Sequence, residues 1–326
     1  MYVKCIWILD QNNQRVRQNI LNAGIYAQLQ TKLFTGFELM AGLRLDNATY
    51  FNKGNFSQLV YDELGLRTDN GLSTFQIQPR VQITWDFNDK HTDILRIGGG
   101  IFASDINNYA MINNMVFDGT KVMSVDIKNT EEEPDIVPTP DFIGYRKDPS
   151  TAPGIDLLNN PNYADKAVPT INMNSKDAKV PVVYKANISY THFFSDRLKM
   201  SVSGYMTLGR NNYMYIDRNM VDDPYFRLSA EGNRGIYVPA STIGKDGTLD
   251  WMEGRKSTKV GRVLELVSEG KVNQFAFTVD GTWRYYKDGE LSFSYTWNDT
   301  KTILPIMVMW LIPLLFPKWW LTIPVI

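Results

Sequence analysis

The stretch Phe75-Gln76-Ile77-Gln78-Pro79-Arg80-Val81-Gln82-Ile83-Thr84-Trp85-Asp86-Phe87 carries an apolar residue at every odd position and a polar or charged one at every even position. Successive side chains of a strand point to opposite faces, so this alternation fixes one apolar and one polar face along about 40 Å of chain. Strands of soluble proteins average about five or six residues, whereas a tilted strand that crosses a bilayer needs about 9 to 11. The stretch is therefore predicted to be a membrane-length strand with one greasy and one wet face.

The same period recurs along the chain. Ile25, Ala27 and Leu29 alternate with Tyr26, Gln28 and Gln30, and Leu39 to Leu45 does likewise with Arg44 and Asp46 on its polar side. Leu95, Ile97 and Ile101 oppose Arg96; Tyr184, Ala186, Ile188 and Tyr190 oppose Lys185, Asn187 and Ser189; Val202 to Leu208 follows suit. The clearest pair is Phe275 to Tyr285 with Leu291 to Trp297. This makes about eight strands in four hairpins. Within each hairpin the turn is short and polar, at Lys32–Gly36, Asn88–Asp93, Ser195–Lys199 and Lys287–Glu290, the last containing an Asp-Gly pair suited to positive φ. Between hairpins the segments are long: Thr49–Leu72, Met111–Lys179 and Met220–Asn273. Long loops of this kind are uncommon in compact soluble domains, whereas outer-membrane barrels pair short periplasmic turns with long extracellular loops. The predicted fold class is all-β, an antiparallel transmembrane β-barrel fragment; a large soluble β-sandwich with half-buried sheets, or an exposed repetitive surface protein, is the alternative.

Composition is compatible with either. Hydrophobic residues make up 44% and aromatics 13%. The mean hydropathy of −0.27 hides a barrel, because half of a barrel's strand residues face water. A net charge of −1 gives no electrostatic basis for a nucleic-acid partner. A single cysteine, Cys5, excludes an intrachain disulfide, and the two histidines, His91 and His192, are too far apart in the sequence to suggest a metal cluster.

The run Asn22-Ala23-Gly24-Ile25-Tyr26-Ala27-Gln28-Leu29-Gln30 followed by Leu39-Met40-Ala41-Gly42-Leu43-Arg44-Leu45-Asp46 resembles the barrel hairpin of TonB-dependent receptors, a "YxQ" strand and then a "GxRxD" strand. Gln78-Pro79-Arg80 with Trp85, then Leu95 to Phe102, is similar to the family's next hairpin, and Ser292 to Lys301 resembles its "SYTxxDAK" strand. The likeness is to the Bacteroidetes type with a carboxypeptidase-regulatory-like amino-terminal domain, the Oar-like and SusC-like receptors, and covers roughly residues 20 to 301. It implies a signal peptide, an energy-coupling box, a plug domain and about 22 strands, so the chain is expected to be an internal barrel fragment. Met1 to Ile8 runs at once into polar Asp10–Asn19, without the apolar core and cleavage site of a signal peptide.

Residues 302–326 break the pattern. The segment is almost wholly apolar, yet Pro305, Pro313, Pro317 and Pro324 oppose a regular membrane helix. Isoleucine and methionine codons begin with AT, so reading one base earlier yields codons ending in AT, which encode Asn, Asp, Tyr or His. Ile303, Ile306, Met307, Met309, Ile312, Ile323 and Ile326 all become polar in this way. The expected division is a partial barrel over 1–301 and an out-of-frame tail over 302–326, in preference to an authentic hydrophobic anchor.

No Ser/His/Asp, Cys/His or zinc-type constellation has workable spacing, and no catalytic, cofactor or metal residue is assigned. Gly98-Gly99-Gly100 lies inside an alternating strand and does not open a helix, which excludes a phosphate loop. Glu131-Glu132-Glu133-Pro134-Asp135, Asp217-Arg218-Asn219 and Asp222-Asp223 fit solvated loops better than a calcium site. Loop aromatics Phe142, Tyr145, Tyr163, Tyr225, Phe226 and Tyr237 have the chemistry to stack on a sugar or peptide, though anchoring their own loop is the commoner role. The expectation is a non-enzymatic part of an outer-membrane TonB-dependent receptor for nutrient uptake. Its expected partners are membrane lipid, the TonB system acting through regions outside this chain, a surface lipoprotein, and a glycan, peptide or chelate ligand. A structural or adhesive surface barrel without transport is the alternative; an outer-membrane hydrolase lacks a catalytic constellation.

Overall fold

The computed structural model describes residues 2–8, 15–87, 89–104, 108–128, 142–148, 167–245, 247, 249, 251–286 and 289–303. Its strands are β1 (Tyr2–Ile8), β2 (Ile20–Phe34), β3 (Phe37–Tyr50), β4 (Leu72–Asp86), β5 (Asp93–Ala103), β6 (Asp118–Lys128), β7 (Ala167–Asn174), β8 (Val182–Ser195), β9 (Leu198–Asp217), β10 (Phe226–Leu228), β11 (Arg234–Ile236), β12 (Val263–Arg284) and β13 (Glu290–Ile303). Three helices, α1 (Gln58–Leu64), α2 (Asn108–Val116) and α3 (Phe142–Lys147), lie in the connections.

Eight long strands lie side by side in the order β2, β3, β4, β5, β8, β9, β12, β13, each antiparallel to its neighbours. These are the four hairpins read from the alternation, and the strands run from 11 residues in β5 to 22 in β12. Among the described residues the free edges of β2 and β13 pair with nothing, so the sheet is an open arc of barrel wall. The first hairpin closes over Thr35 and Gly36, where Gly36 takes a φ of 76°.

Register makes the two faces continuous. One row crosses seven strands as Leu39, Ile83, Ile97, Ile188, Gly204, Phe277 and Trp297; the next, nearer the short turns, runs Phe37, Trp85, Leu95, Tyr190, Val202, Val279 and Tyr295. A slip of one residue in any strand would put a polar row into this surface. The apolar face is open: Ile25 is 68% exposed, Phe75 61% and Phe293 53%. Among the described residues no second layer covers it, which is incompatible with the sandwich alternative. From Phe75 to Trp85 the strand advances about 33 Å, and a tilt of about 40° reduces that to ~25 Å, the height of a barrel's lipid-facing band. Aromatics link up at the turn end. Phe34 and Phe37 stack at 4.7 Å, Trp85 meets both edge-on, Phe87 lies 4.7 Å from Trp85, and Tyr190 stacks on Phe87.

The structure departs from the sequence reading in the connections. β9 runs on to Asp217 and β12 begins at Val263, ten residues before the expected end of the third long loop. Val263, Glu265, Leu266 and Val267 are all buried, so the alternation that marks a one-sided strand is missing there. The middle segment, read from sequence as one long connection, contains β6 and β7. Ile171–Asn174 of β7 runs parallel to Val263–Leu266 on the edge of β12 that β13 occupies further down; β6 pairs with β7, and β1 with β6.

The buried core sits at the loop end. Ile20, Tyr50 and Leu72, one cross-strand row of the otherwise polar face, pack with Met111 of α2 and with Val180. A second cluster joins Val60 of α1 to Ile171, Met173, Val260 and Val263. α1 is capped by Ser57, whose Oγ accepts from Val60 N at 3.4 Å, and is ended by Gly65 at a φ of 69°. The loop carrying α1 leaves β3 and β4 yet packs on β12, four strand steps or ~19 Å along the sheet. The loops thus fold over the end of the polar face.

Candidate functional site on the polar face

The Gly42-Leu43-Arg44-Leu45-Asp46 stretch places Arg44 and Asp46 on the same face of β3. Arg44 Nε donates to Asp46 Oδ2 at 2.7 Å, and Gln78 Nε2 of β4 donates to the same oxygen at 2.6 Å. Gly24, opposite Asp46 on β2, makes room: a Cβ there would lie 2.3 Å from Asp46 Oδ1. Gln78 also accepts from Ala103 N of β5 at 3.0 Å. The β4–β5 ladder ends at Arg80 and Gly100, next to Pro79, which has no N–H to donate. The nearly buried Gln78 side chain thus extends the join between β4 and β5 and ties β3 to it.

This network forms the wall of an open groove of about 470 Å³, bordered by Asn22, Arg44, Asp46, Gln76, Gln78 and Arg80 and lying beside Val180 of the loop-end core. Across β8 to β13 the polar face is mostly hydroxyl and amide: Ser203 donates to Ser189 at 2.9 Å, Thr191 and Ser201 meet at 3.0 Å, Thr278 and Thr296 at 2.9 Å, and Gln274 donates to Asn298 at 3.2 Å. Such a surface offers hydrogen-bonding groups and fixed charges; among the described residues it holds no group of three or more metal-ligating side chains.

The loops over the groove are fastened by buried polar side chains. Asp118, fully buried, accepts from Asn55 N, Asn55 Nδ2, Thr120 N, Thr120 Oγ1 and the Lys121 ammonium. Asn219, equally buried, donates to the carbonyls of Ser257, Val260 and Gly261 and accepts from Ser257 N. Glu63 of α1 is held below the usual carboxylate range by hydrogen bonds from Lys259 and Ser257, and Lys259 is raised by the same contact. Asp69 is likewise lowered by its hydrogen bond from Arg67.

Several residues weighed from the sequence find structural employment. Asp217 pairs with Arg255, Arg218 with Glu265, and Asn219 pins its loop, so this triplet is a brace. Asp222 pairs with Lys256 at the surface and Asp223 is exposed. Tyr225 is 55% exposed, Phe226 pairs with Ile236, and Tyr237 lies against Gly235. Phe142 and Tyr145 fall in α3. Residues 131–135, Tyr163 and 304–326 lie outside the described residues. Gly98 to Gly100 run inside β5, facing β8, as expected of a strand. The histidines are closer than their sequence separation implies: His91 pairs with Asp86 and His192 with Asp93, so register brings both to the turn end of β4, β5 and β8. The polar network and the stitched loops were missed from sequence, although "GxRxD" followed by "QPR" was their visible trace.

No protein-family model matches the chain, and no curated protein sequence matches it. Solved structures do. The FrpB iron transporter (F3-3 variant) of Neisseria meningitidis is 9% identical, with 87% of this chain and 26% of that one covered and a TM-score of 0.46. The outer membrane transporter YddB of Escherichia coli is 11% identical, with 86% and 25% covered and a TM-score of 0.46. The alcaligin outer-membrane receptor FauA of Bordetella pertussis is 12% identical, with 87% and 31% covered and a TM-score of 0.37. The chain spans about a quarter to a third of the length of these structures.

Proposed function

We propose that this chain is a section of the wall of an outer-membrane receptor for nutrient uptake. The observation that carries the reading is the pair of unbroken faces on eight strands: an exposed apolar band with linked aromatics at its turn end, backed by a polar face that borders a groove under folded loops. Lipid satisfies the first face and a water-filled interior the second, and neither requires covalent chemistry. The resemblance of Asn22–Asp46, Gln78–Phe102 and Ser292–Lys301 to TonB-dependent receptors of the Oar-like and SusC-like type supports an energised receptor. In that reading the ligand enters from the loop side, TonB acts through a plug domain, and a surface lipoprotein covers the loops. The same reading treats 1–301 as partial barrel and 302–326 as out of frame, which the gene's DNA sequence decides.

Fractionation and labelling test the reading. The intact gene product should sediment with outer membranes, and protease added to whole cells should cut within residues 104–181 while leaving the turn at 87–92 intact. Recovery in a soluble fraction, or cutting confined to that turn, would contradict it. Plug and energy-coupling sequences in the same gene support uptake; their absence from the complete gene supports an adhesive surface barrel.

A further inference from the structure

Arg80, Gly100 and Lys185 occupy one cross-strand row on β4, β5 and β8, so two strand spacings, ~10 Å, separate the two basic residues at the backbone. Both side chains reach the ring of Phe102 on the strand between them. Arg80 Cζ lies 4.6 Å and Lys185 Nζ 5.7 Å from the ring centre of Phe102, an aromatic on the polar face. Gly100 permits this crowding, because a Cβ there would stand 2.8 Å from Pro79 O and 3.1 Å from Arg80 Cγ. One cation over an aromatic face is favourable, but two of like charge on one ring repel each other. Among the described residues neither cation has a carboxylate partner. Asp46, the carboxylate of the adjoining groove, is already bound to Arg44 and Gln78. Arg80 itself borders that groove.

We propose that Arg80, Lys185 and Phe102 form an oxyanion site on the inner wall, which takes a carboxylate or phosphate group between the two cations. The inference rests on the reading of the polar face as a water-filled interior. An anion there neutralises the repulsion and gains charge-assisted hydrogen bonds from both side chains, while the ring holds the two cations in place. The anionic group comes either from a free solute or from an acidic side chain of polypeptide inside the barrel.

The test is calorimetric titration of the intact gene product in lipid nanodiscs with inorganic phosphate, citrate and a short glutamate-rich peptide. The double variant Arg80→Gln/Lys185→Gln should bind about tenfold or more weakly. Arg96→Gln, in a different row, should leave binding unchanged, and added sodium chloride should weaken binding by the wild type. A peptide that outcompetes citrate identifies polypeptide as the source; citrate binding without peptide binding identifies a solute. No binding by the wild type, undiminished binding by the double variant, or an equal loss in Arg96→Gln overturns the proposal. Quenching of tryptophan fluorescence by brominated lipid in the same samples tests the membrane reading separately, since its failure leaves the titration result standing.

Discussion

Lys259 Nζ lies 2.6 Å from the carboxylate of Glu63, joining α1 of the first long loop to the third across 196 residues of sequence. Ser257 Oγ donates to the other carboxylate oxygen at 2.8 Å. The bond raises Lys259 and lowers Glu63, which sets the sign of its pH dependence. The Glu63 contribution is full above its ordinary value of 4.5 and is lost as pH falls through the depressed one; that of Lys259 is full below 10.5 and is lost as pH rises through the raised one. The protection of α1 amides against hydrogen exchange, taken relative to the intrinsic rate at each pH, should therefore fall below pH 4.5 in the wild type, and in Glu63→Gln it should be lower already at neutral pH with the acid step gone. An unchanged acid step in Glu63→Gln would show that another group sets it.

Val81 lies midway along the apolar face, in the row Ala41, Val81, Gly99, Ala186, Met206 and Phe275, and is 46% exposed. Val81→Arg should cost about 2 to 4 kcal/mol in urea unfolding from lipid vesicles. Gln82→Arg, one residue on and facing the interior, should cost within about 0.5 kcal/mol. Equal costs would mean that the two faces meet the same solvent.

Asn219 holds three carbonyls with one amide group in a fully buried position. Asn219→Ala strands those acceptors and the Ser257 N–H, a loss of about 1 to 3 kcal/mol or more. Limited proteolysis should then cut residues 218–262 faster, with the heat-modifiable migration of the strands preserved.

Gly281 faces Phe293 across β12 and β13, and a Cβ on it would lie 2.4 Å from the ring edge. Gly281→Val must displace the ring, at a cost of about 1 kcal/mol. The cost should shrink in a Phe293→Ala background, where a double-mutant cycle reads the coupling directly.

How much of this was legible follows from which residues have one wet side. β4 and β13 alternate cleanly because each strand residue meets either the apolar exterior or the polar interior, so Phe75 to Phe87 and Leu291 to Trp297 announced themselves. Val263 to Val267 did not, because odd and even positions alike are buried there, Val263 packing with Val60 of α1 and with Val260. β7 contains Pro169 and pairs in parallel with a strand about ninety residues away, a long-range fit that no local period records. The groove was half visible: Arg44, Asp46 and Gln78 could be read as facing residues, but their bond depends on the register between β3 and β4. The cations on Phe102 needed the further register from β5 to β8.

In a membrane wall the odd-numbered residues of β4 face lipid and the even-numbered ones face water. A nitroxide scan from Phe75 to Asp86, one label at a time in a Cys5→Ser background in lipid vesicles, measures both directly as accessibility to oxygen and to a water-soluble nickel complex. A period of two is expected throughout, with oxygen access highest at Ile77, Val81 and Ile83 and nickel access highest at Gln76, Arg80 and Gln82. Odd positions shielded from both reagents would place the apolar face against protein and contradict the membrane wall.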